Sequence, residues 1–121
     1  MDAVDARTFA DEWVASWNAH DIDRILSHYS ETAELLSPAA AQRLGNGRVV
    51  GHGALRSYWS PALADGSVLH FSIVEVFAGS SAVTIVYDAI LPADLGNRRG
   101  AETFELGPDR KVVRSMACYS V

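Results

Sequence analysis

One carboxyl side chain, that of Glu102, lies where the sequence predicts the interior of the protein. In the run 101–106, strand alternation puts Glu102 on the same face as Phe104. A carboxyl group on a buried face must be paired, hydrogen-bonded or protonated, and such a group is a candidate general acid or base. We therefore take Glu102 as the candidate catalytic residue. The alternative is that Glu102 lies at the frayed start of its strand and pairs at the surface with Arg98 or Arg99.

Aromatic side chains can supply the walls of an apolar pocket around that carboxyl group. Tryptophan N–H and tyrosine O–H groups also give such walls a few polar contacts. The alternative for each ring is that it only fills the core. The predicted substrate-binding residues are Trp13, Trp17, Tyr29, Tyr58, Trp59, Tyr87 and Tyr119, together with Phe104 on the face of Glu102.

Several common cofactor and nucleophile motifs are absent from the sequence. The Gly45-Asn46-Gly47 run precedes no helix with the Lys-Ser/Thr pair of a phosphate loop, and the histidines lack the paired spacing of metal ligands. No Gly-x-Ser-x-Gly elbow occurs. Cys118 falls in a predicted strand rather than at a helix N-terminus, so we expect a small buried apolar residue there. The sequence therefore predicts no cofactor and no metal site.

The first half of the sequence has the periodicity of helices. Phe9, Trp13 and Trp17 recur at i, i+4 and i+8, which predicts an amphipathic helix. Asp21 is the predicted N-cap of a second helix that ends near Ser30. The apolar faces of these two helices predict a helical hairpin that packs on an apolar surface.

Further along the first half, a third helix and an irregular segment are expected. The third helix opens at Gly51-His52-Gly53 and ends near Pro61. Residues 38–47 are predicted to form a loop, with at most one helical turn. Whether this 38–47 loop covers a pocket as a lid is left open by the sequence.

Strands dominate the second half. Two long β-branched and aromatic runs, 68–77 and 82–91, are separated by a hairpin signal. Two more strands are predicted at 101–106 and 112–121, and short ones at 33–36 and 48–50. Helices followed by strands indicate an α+β fold rather than a βαβ repeat.

Both faces of the predicted sheet are partly apolar. Alternation puts Phe71, Ile73 and Phe77 on one face and Val74 and Val76 on the other. One face must pack on the helices. For a chain this short, an apolar outer face predicts a homodimer that forms through the sheet, and the alternative is a sheet with exposed valines.

Composition narrows the class of protein. The 121 residues predict a single domain, 1–121, and the net charge of −5 disfavours nucleic acid as a partner. No apolar run is long enough to cross a membrane, and the N-terminus lacks the apolar segment of a signal peptide. A single cysteine fits a reducing compartment, so the predicted location is cytoplasmic.

Four segments of the chain resemble a known family. The segment 17–35 (WNAHDIDRILSHYSETAEL) is similar to the helix–helix–strand opening of SnoaL-like domains, in the nuclear transport factor 2-like superfamily. Residues 51–59 resemble its third helix, and 101–104 and 112–119 its last two strands. The resemblance implies a cone-shaped fold in which a curved antiparallel sheet and three helices of the N-terminal half enclose one pocket, usually in a homodimer.

The resemblance also bears on chemistry, since the superfamily includes cyclases, ketosteroid isomerases, dehydratases and transport adaptors. The position of the isomerase's proton-abstracting aspartate is Ser37 here, which cannot act as that base. The position of its phenolic donor is Trp13, and only its second acid has a carboxyl counterpart, Glu102. Steroid isomerisation by that mechanism is therefore not expected, and Ser37 is included among the pocket residues.

Two functions from different classes remain open. In the first, the protein is an isomerase, cyclase or dehydratase-type enzyme that moves a proton through Glu102 on a hydrophobic small molecule. In the second, it is a ligand-binding or accessory module without chemistry. A third hypothesis is a protein-interaction domain that binds its partner through the outer face of the sheet.

Overall fold

The computed structural model describes residues 2–92 and 96–120. Four α-helices and one 3-10 turn accompany six strands. The helices are α1 (Ala3–Asn18), α2 (Ile22–Leu26), α3 (Pro38–Leu44) and α4 (His52–Trp59), and the 3-10 turn is Ser60–Leu63. The strands are β1 (Tyr29–Leu36), β2 (Arg48–Val50), β3 (His70–Ala78), β4 (Ala82–Ile90), β5 (Arg98–Leu106) and β6 (Val112–Tyr119).

The α+β class and the curved sheet are confirmed, and the sheet is open at both edges. Its strand order is β2-β1-β6-β5-β4-β3. Neighbouring strands are antiparallel except for β1 and β6, which run parallel. The sheet is thus mixed rather than purely antiparallel. The last residue of the predicted strand 112–121 lies outside the described residues, as do residues 93–95 of the connection before β5.

The helical hairpin forms as its apolar faces predict. Asp21 caps α2, and its side chain accepts a hydrogen bond from the Arg24 N–H at 3.1 Å. The second helix is shorter than expected, because Tyr29 already pairs with Val112 of β6 and so begins β1. The helical spacing of apolar residues extends to Tyr29 in the sequence, but Tyr29 belongs to the sheet in the structure.

A fourth helix replaces most of the predicted 38–47 loop. Ser37 is the N-cap of α3 and its hydroxyl accepts a hydrogen bond from the Ala40 N–H at 3.4 Å. Pro38 occupies the first turn, where its missing N–H costs nothing. Gly45 ends the helix in the left-handed conformation, with φ of 74°. The expectation of three helices is therefore wrong by one.

A bulge in β3 changes which side chains face the core. Between Ile73 and Glu75 the pairing with β4 shifts by one residue. Phe77 then pairs with Thr84 on the outer face and is 55% exposed, while Val76 packs against the core. The prediction that Phe77 shares the face of Ile73 is wrong, because a bulge reverses the alternation beyond it.

The outer face also holds Cys118. Ser115 and Ala117 of β6 are buried, so the alternate residues Met116 and Cys118 point away from the core. Cys118 pairs with Ala101 of β5 and is exposed. The expectation of a buried, apolar Cys118 is wrong.

Within the described ranges, no helix has the length and apolar composition to span a membrane.

Asn18, the last residue of α1, ties that helix to β3. Its Nδ2 donates to the Phe71 carbonyl at 2.9 Å, and its Oδ1 accepts from the Phe71 N–H at 2.7 Å. The side-chain amide therefore satisfies both backbone groups of one strand residue. This contact fixes the C-terminal end of α1 against the concave face of the sheet.

We predict that Asn18→Ala lowers the free energy of unfolding by about 1–3 kcal/mol, because it leaves both partly buried backbone groups of Phe71 without a partner. Urea unfolding followed by tryptophan fluorescence measures the loss. Asn46→Ala is the control, since Asn46 accepts one exposed backbone bond, from Arg48. A loss for Asn18→Ala no larger than that of the control would contradict the role given to this side chain.

Candidate functional site

A cavity of about 100 Å³ lies between the helices and the concave face of the sheet. Helices α1, α3 and α4 form one side, and strands β1 and β3 to β6 form the other. The lining residues are Trp13, Trp17, Leu35, Ser37, Ala39, Arg43, Tyr58, Trp59, Ala62, Leu69, Phe71, Tyr87, Leu91, Arg98, Glu102 and Tyr119. Eight of the ten residues singled out from the sequence are in this set.

The cavity has a buried inner end and an open mouth. Trp13, Tyr87 and Glu102 define the inner end, and they are 1%, 3% and 5% exposed. The mouth is formed by more accessible residues, among which Arg43 is exposed. The mouth residues are Ala39, Arg43, Ala62, Leu91 and Arg98.

Tyr29 and Phe104, expected in the pocket wall, lie behind it instead. The Tyr29 hydroxyl accepts a hydrogen bond from Trp13 Nε1 at 3.0 Å. The Phe104 ring packs edge-on against Trp13, with ring centroids 5.1 Å apart. Both side chains are buried and hold Trp13 in place, so they position the wall without lining the cavity.

Glu102 lies in the middle of β5, with its side chain directed to the inner end. It pairs with Ile85 on one neighbouring strand and Ala117 on the other. The strand begins at Arg98, four residues earlier, so Glu102 is not at a frayed end. This burial excludes the alternative in which Glu102 pairs at the surface with Arg98 or Arg99. Arg99 instead forms an ion pair with Asp88 at 2.8 Å.

Burial raises the pKa of Glu102 to about 7, since the apolar surroundings disfavour the charged carboxylate. Two hydroxyl groups oppose this rise in pKa. Ser115 Oγ lies beside the carboxyl group, although its geometry falls short of a full hydrogen bond, and the Tyr87 hydroxyl donates to Oε1 over a long 3.5 Å. A carboxyl group with a pKa near neutrality can either give or take a proton under physiological conditions.

Two tyrosines of the cavity, Tyr87 and Tyr119, remain protonated donors. Burial, and then the charge of Glu102, raise the pKa of Tyr87 well above its ordinary value. The same two causes raise the pKa of Tyr119 to about 12, although the hydroxyl of Ser37 lowers it in part. Both phenols can therefore donate hydrogen bonds near Glu102, and neither can act as a base at neutral pH.

A glycine gives the Tyr87 ring its place. Gly100 of β5 is the register partner of Tyr87 on β4. A Cβ atom at position 100 would lie 2.8 Å from Tyr87 Cζ, closer than carbon atoms can pack. Gly100 therefore lets the phenol lie across β5 towards Glu102.

Half of the residues that line the cavity were not predicted from the sequence. Phe71 had a signal, because alternation places it on the core face of β3, and its ring stacks on Trp13 at 5.6 Å. Arg43 had none, since the segment that carries it was predicted as a loop rather than as α3. The missed residues are Leu35, Ala39, Arg43, Ala62, Leu69, Phe71, Leu91 and Arg98.

The chain belongs to the family of SnoaL-like domains, since the model of that family matches residues 10–115. The comparison with curated proteins gives no match. A SnoaL-like protein of unknown function from Burkholderia thailandensis is 38% identical, with a TM-score of 0.90, over 100% of this chain and 99% of that chain. That likeness extends over the full length of this chain.

More distant structures share the fold alone. The epoxide hydrolase/cyclase-like enzyme SalBIII, described in pyran ring formation of the polyether salinomycin, is 17% identical with a TM-score of 0.79, over 99% of this chain and 94% of that chain. A computationally designed 17-OHP binder is 17% identical with a TM-score of 0.78, over 96% of this chain and 92% of that one. Within the described ranges, no three His, Cys, Asp or Glu side chains are grouped as metal ligands would be.

The raised pKa of Glu102 predicts how stability depends on pH. The folded protein holds this proton up to about pH 7, whereas the unfolded chain releases it near the ordinary value of 4.5. The contribution to stability is therefore complete below pH 4.5 and is lost as the pH rises through about 7. The loss amounts to about 3 kcal/mol.

We expect Glu102→Gln to remove this loss, so that the variant gains stability over the wild type as the pH rises from about 5 to about 8. Urea unfolding at both pH values measures the difference. Glu105→Gln, on the exposed face of the same strand, is the control and should follow the wild type. Parallel pH profiles for the wild type and Glu102→Gln would show that this carboxyl group titrates normally.

Proposed function

We propose that the protein binds a small hydrophobic molecule in the cavity and exchanges a proton with it through Glu102. The observation that carries this proposal is the carboxyl group of Glu102, 5% exposed at the inner end of an aromatic cavity, with a pKa of about 7. Isomerases, cyclases and dehydratases all need a proton moved to or from carbon, and such a group performs that step near neutral pH.

Two phenol donors complete the chemistry. A carbonyl compound in the cavity loses a proton from the carbon next to its carbonyl group to the Glu102 carboxylate, and negative charge develops on the carbonyl oxygen. Tyr119 or Tyr87 donates a hydrogen bond to that oxygen, which stabilises the enolate. The proton then returns from Glu102 to carbon, at the same or another position, and the carboxylate is restored.

The mechanism of the ketosteroid isomerases does not transfer to this site. Ser37 stands where their base would lie, and its hydroxyl caps α3. Trp13, at the position of their phenolic donor, donates its indole N–H to the Tyr29 hydroxyl. Glu102 must therefore serve as both acid and base in the proposed reaction.

The size of the cavity limits the ligand. Its 100 Å³ lies below the roughly 300–1,000 Å³ of pockets that enclose drug-sized molecules. An apolar cavity of about 150 Å³ holds one benzene ring. This cavity, at about 100 Å³, is smaller still, so we propose a ligand whose enclosed body is no larger than one ring, rather than one of steroid size.

Cyclohexanone, a one-ring enolisable ketone, tests the proposed proton transfer. In D₂O, we expect the wild type to exchange the protons next to the carbonyl group about 100-fold faster than Glu102→Gln does. The wild-type rate should rise as Glu102 ionises and level off above about pH 7. Proton NMR of the ketone measures the exchange.

The control and the contrary result are both defined by the same assay. Glu105→Gln, exposed on the same strand, should keep the wild-type exchange rate. All three tryptophans of the chain line the cavity, so their indole N–H signals report whether the ketone is bound. Bound ketone with equal exchange in the wild type and Glu102→Gln would overturn the catalytic proposal and leave a binding module.

That second function, ligand binding without chemistry, has its own support. Among the described residues that line the cavity, Glu102 is the only Asp, Glu or His. Most proton-transfer sites pair an acid with a separate base. Because this fold is found both in an enzyme, SalBIII, and in a designed binder, the fold by itself does not decide between the two functions.

We also propose a homodimer that forms through the outer face of the sheet. Side chains paired across four strands make an apolar and threonine stripe there: Phe77, Thr84, Thr103 and Met116. Phe77 is 55% and Met116 is 44% exposed in the isolated chain. An exposed apolar stripe in the middle of a sheet is best covered by a second copy around a two-fold axis.

Met116→Glu should convert such a dimer to monomer, because each copy would then bury an unpaired carboxylate in the interface. Sedimentation velocity measures the mass in solution. Val4→Glu is the matched control, since Val4 is 74% exposed on α1 away from the stripe. A wild type that sediments as a monomer would argue against the dimer and favour the third hypothesis, in which the face binds another protein.

A cytoplasmic location is part of the same proposal. Cys118, the single cysteine of the chain, is exposed on the face that the dimer would cover. An exposed thiol stays reduced in the cytoplasm, whereas an oxidising compartment would cross-link copies through it.

A further inference from the structure

We propose that the ligand of the cavity carries a carboxylate group, and that Arg43 at the mouth binds it. This inference rests on the proposed function, in which the cavity takes a molecule with an apolar body. It adds the chemical class of that molecule: a small carboxylic acid with about one ring in the cavity and its charged group at the mouth.

Arg43 differs from most arginines of this protein. Seven of the nine form ion pairs with carboxylates: Arg7, Arg24, Arg48, Arg56, Arg99, Arg110 and Arg114. In the part of the chain that the structure describes, Arg43 has no carboxylate within ion-pair distance. Its charge is therefore not neutralised by a neighbouring acid.

The guanidinium of Arg43 is nevertheless held in place. It lies over the Tyr58 ring, 5.1 Å from the ring centroid, and its Nη1 is 3.5 Å from the Tyr58 carbonyl oxygen. A guanidinium held over an aromatic face keeps further N–H groups that can bind a carboxylate through two parallel hydrogen bonds. A positioned cation of this kind costs less entropy on binding than a mobile lysine does.

The other residues at the mouth and at the inner end are also compatible with an anionic ligand. Arg98 also lines the cavity, and its guanidinium lies 4.9 Å from the centroid of the Tyr119 ring. The only acid in the described lining, Glu102, is at the inner end and is uncharged in half of the molecules near pH 7. The chain as a whole carries a charge of −5, so attraction for an anion must come from local groups such as these.

The cavity volume places the charge at the mouth rather than inside. The 100 Å³ accommodates about one ring, so any further group of the ligand must extend past the inner end. A carboxylate buried against Trp13 or Tyr87 would lose its hydration without a cation to compensate. At the mouth it keeps part of its water and gains the hydrogen bonds of Arg43.

The test compares 3-phenylpropanoate with its uncharged analogue 3-phenylpropanamide. At about pH 6 and low salt the acid is ionised, while Glu102 is mostly protonated. We expect both probes to shift the three indole N–H signals and the acid to bind about tenfold more tightly than the amide. Arg43→Gln should remove that tenfold preference, and Arg43→Lys should restore part of it.

Arg48→Gln is the matched control, because Arg48 is also exposed, lies five residues away and pairs with Glu34 at 3.0 Å. It should keep the preference for the acid. Equal affinity of the wild type for the two probes, or a preference that survives in Arg43→Gln, would overturn the inference while leaving the cavity as a binding site. If neither probe shifts the indole signals, the cavity does not take a one-ring body, and the proposed function fails along with the inference.

Discussion

The burial of one carboxyl group among aromatic rings is the constraint on which the site depends. Ionised Glu102 would lose its hydration, and the neighbouring hydroxyls of Tyr87 and Ser115 replace only part of it. The structure meets this cost by holding the carboxyl group as an acid up to about pH 7. Gly100 contributes by making room for the Tyr87 ring, whose hydroxyl donates to the Glu102 carboxyl group. A carboxyl group with a pKa of about 7 can give or take a proton at neutral pH, and its ionisation lowers the stability of the folded protein at higher pH.

Around that group the molecule separates apolar from charged contacts. The inner end is built from aromatic rings whose centroids lie 4.9 to 6.0 Å apart, and Asn18 fixes α1 against the sheet so that the rings of Trp13 and Trp17 stay in place. The mouth carries arginines stacked on tyrosines. A ligand with an apolar body and a polar end matches this arrangement better than one that is uniformly apolar.

Much of this could be predicted from local pattern. Helical periodicity placed the Trp13 and Trp17 stripe on the core face, and an acidic side chain before an apolar run marked the cap at Asp21. Alternation along β5 put Glu102 on the face of Phe104 but left open a surface pairing with Arg98 or Arg99. The structure buries Glu102, since no bulge interrupts the strand before it. These features depend on a few neighbouring residues, and a short stretch of sequence therefore determines them.

Other features depend on contacts between distant segments, and only the tertiary structure decided them. Pairing of β1 with β6 drew Tyr29 out of the second helix and behind the wall of the cavity. The bulge in β3 turned Phe77 outward, which no count of alternate residues foresees. Arg43 reaches the mouth because α3 packs beside Tyr58 of α4. The sequence by itself determined the apolar face of an uninterrupted element such as α1. Which side chains are buried beyond a bulge, and which of them meet at one cavity, was decided by how the elements pair and pack, since that choice is made by the energy of the whole assembly rather than of any segment.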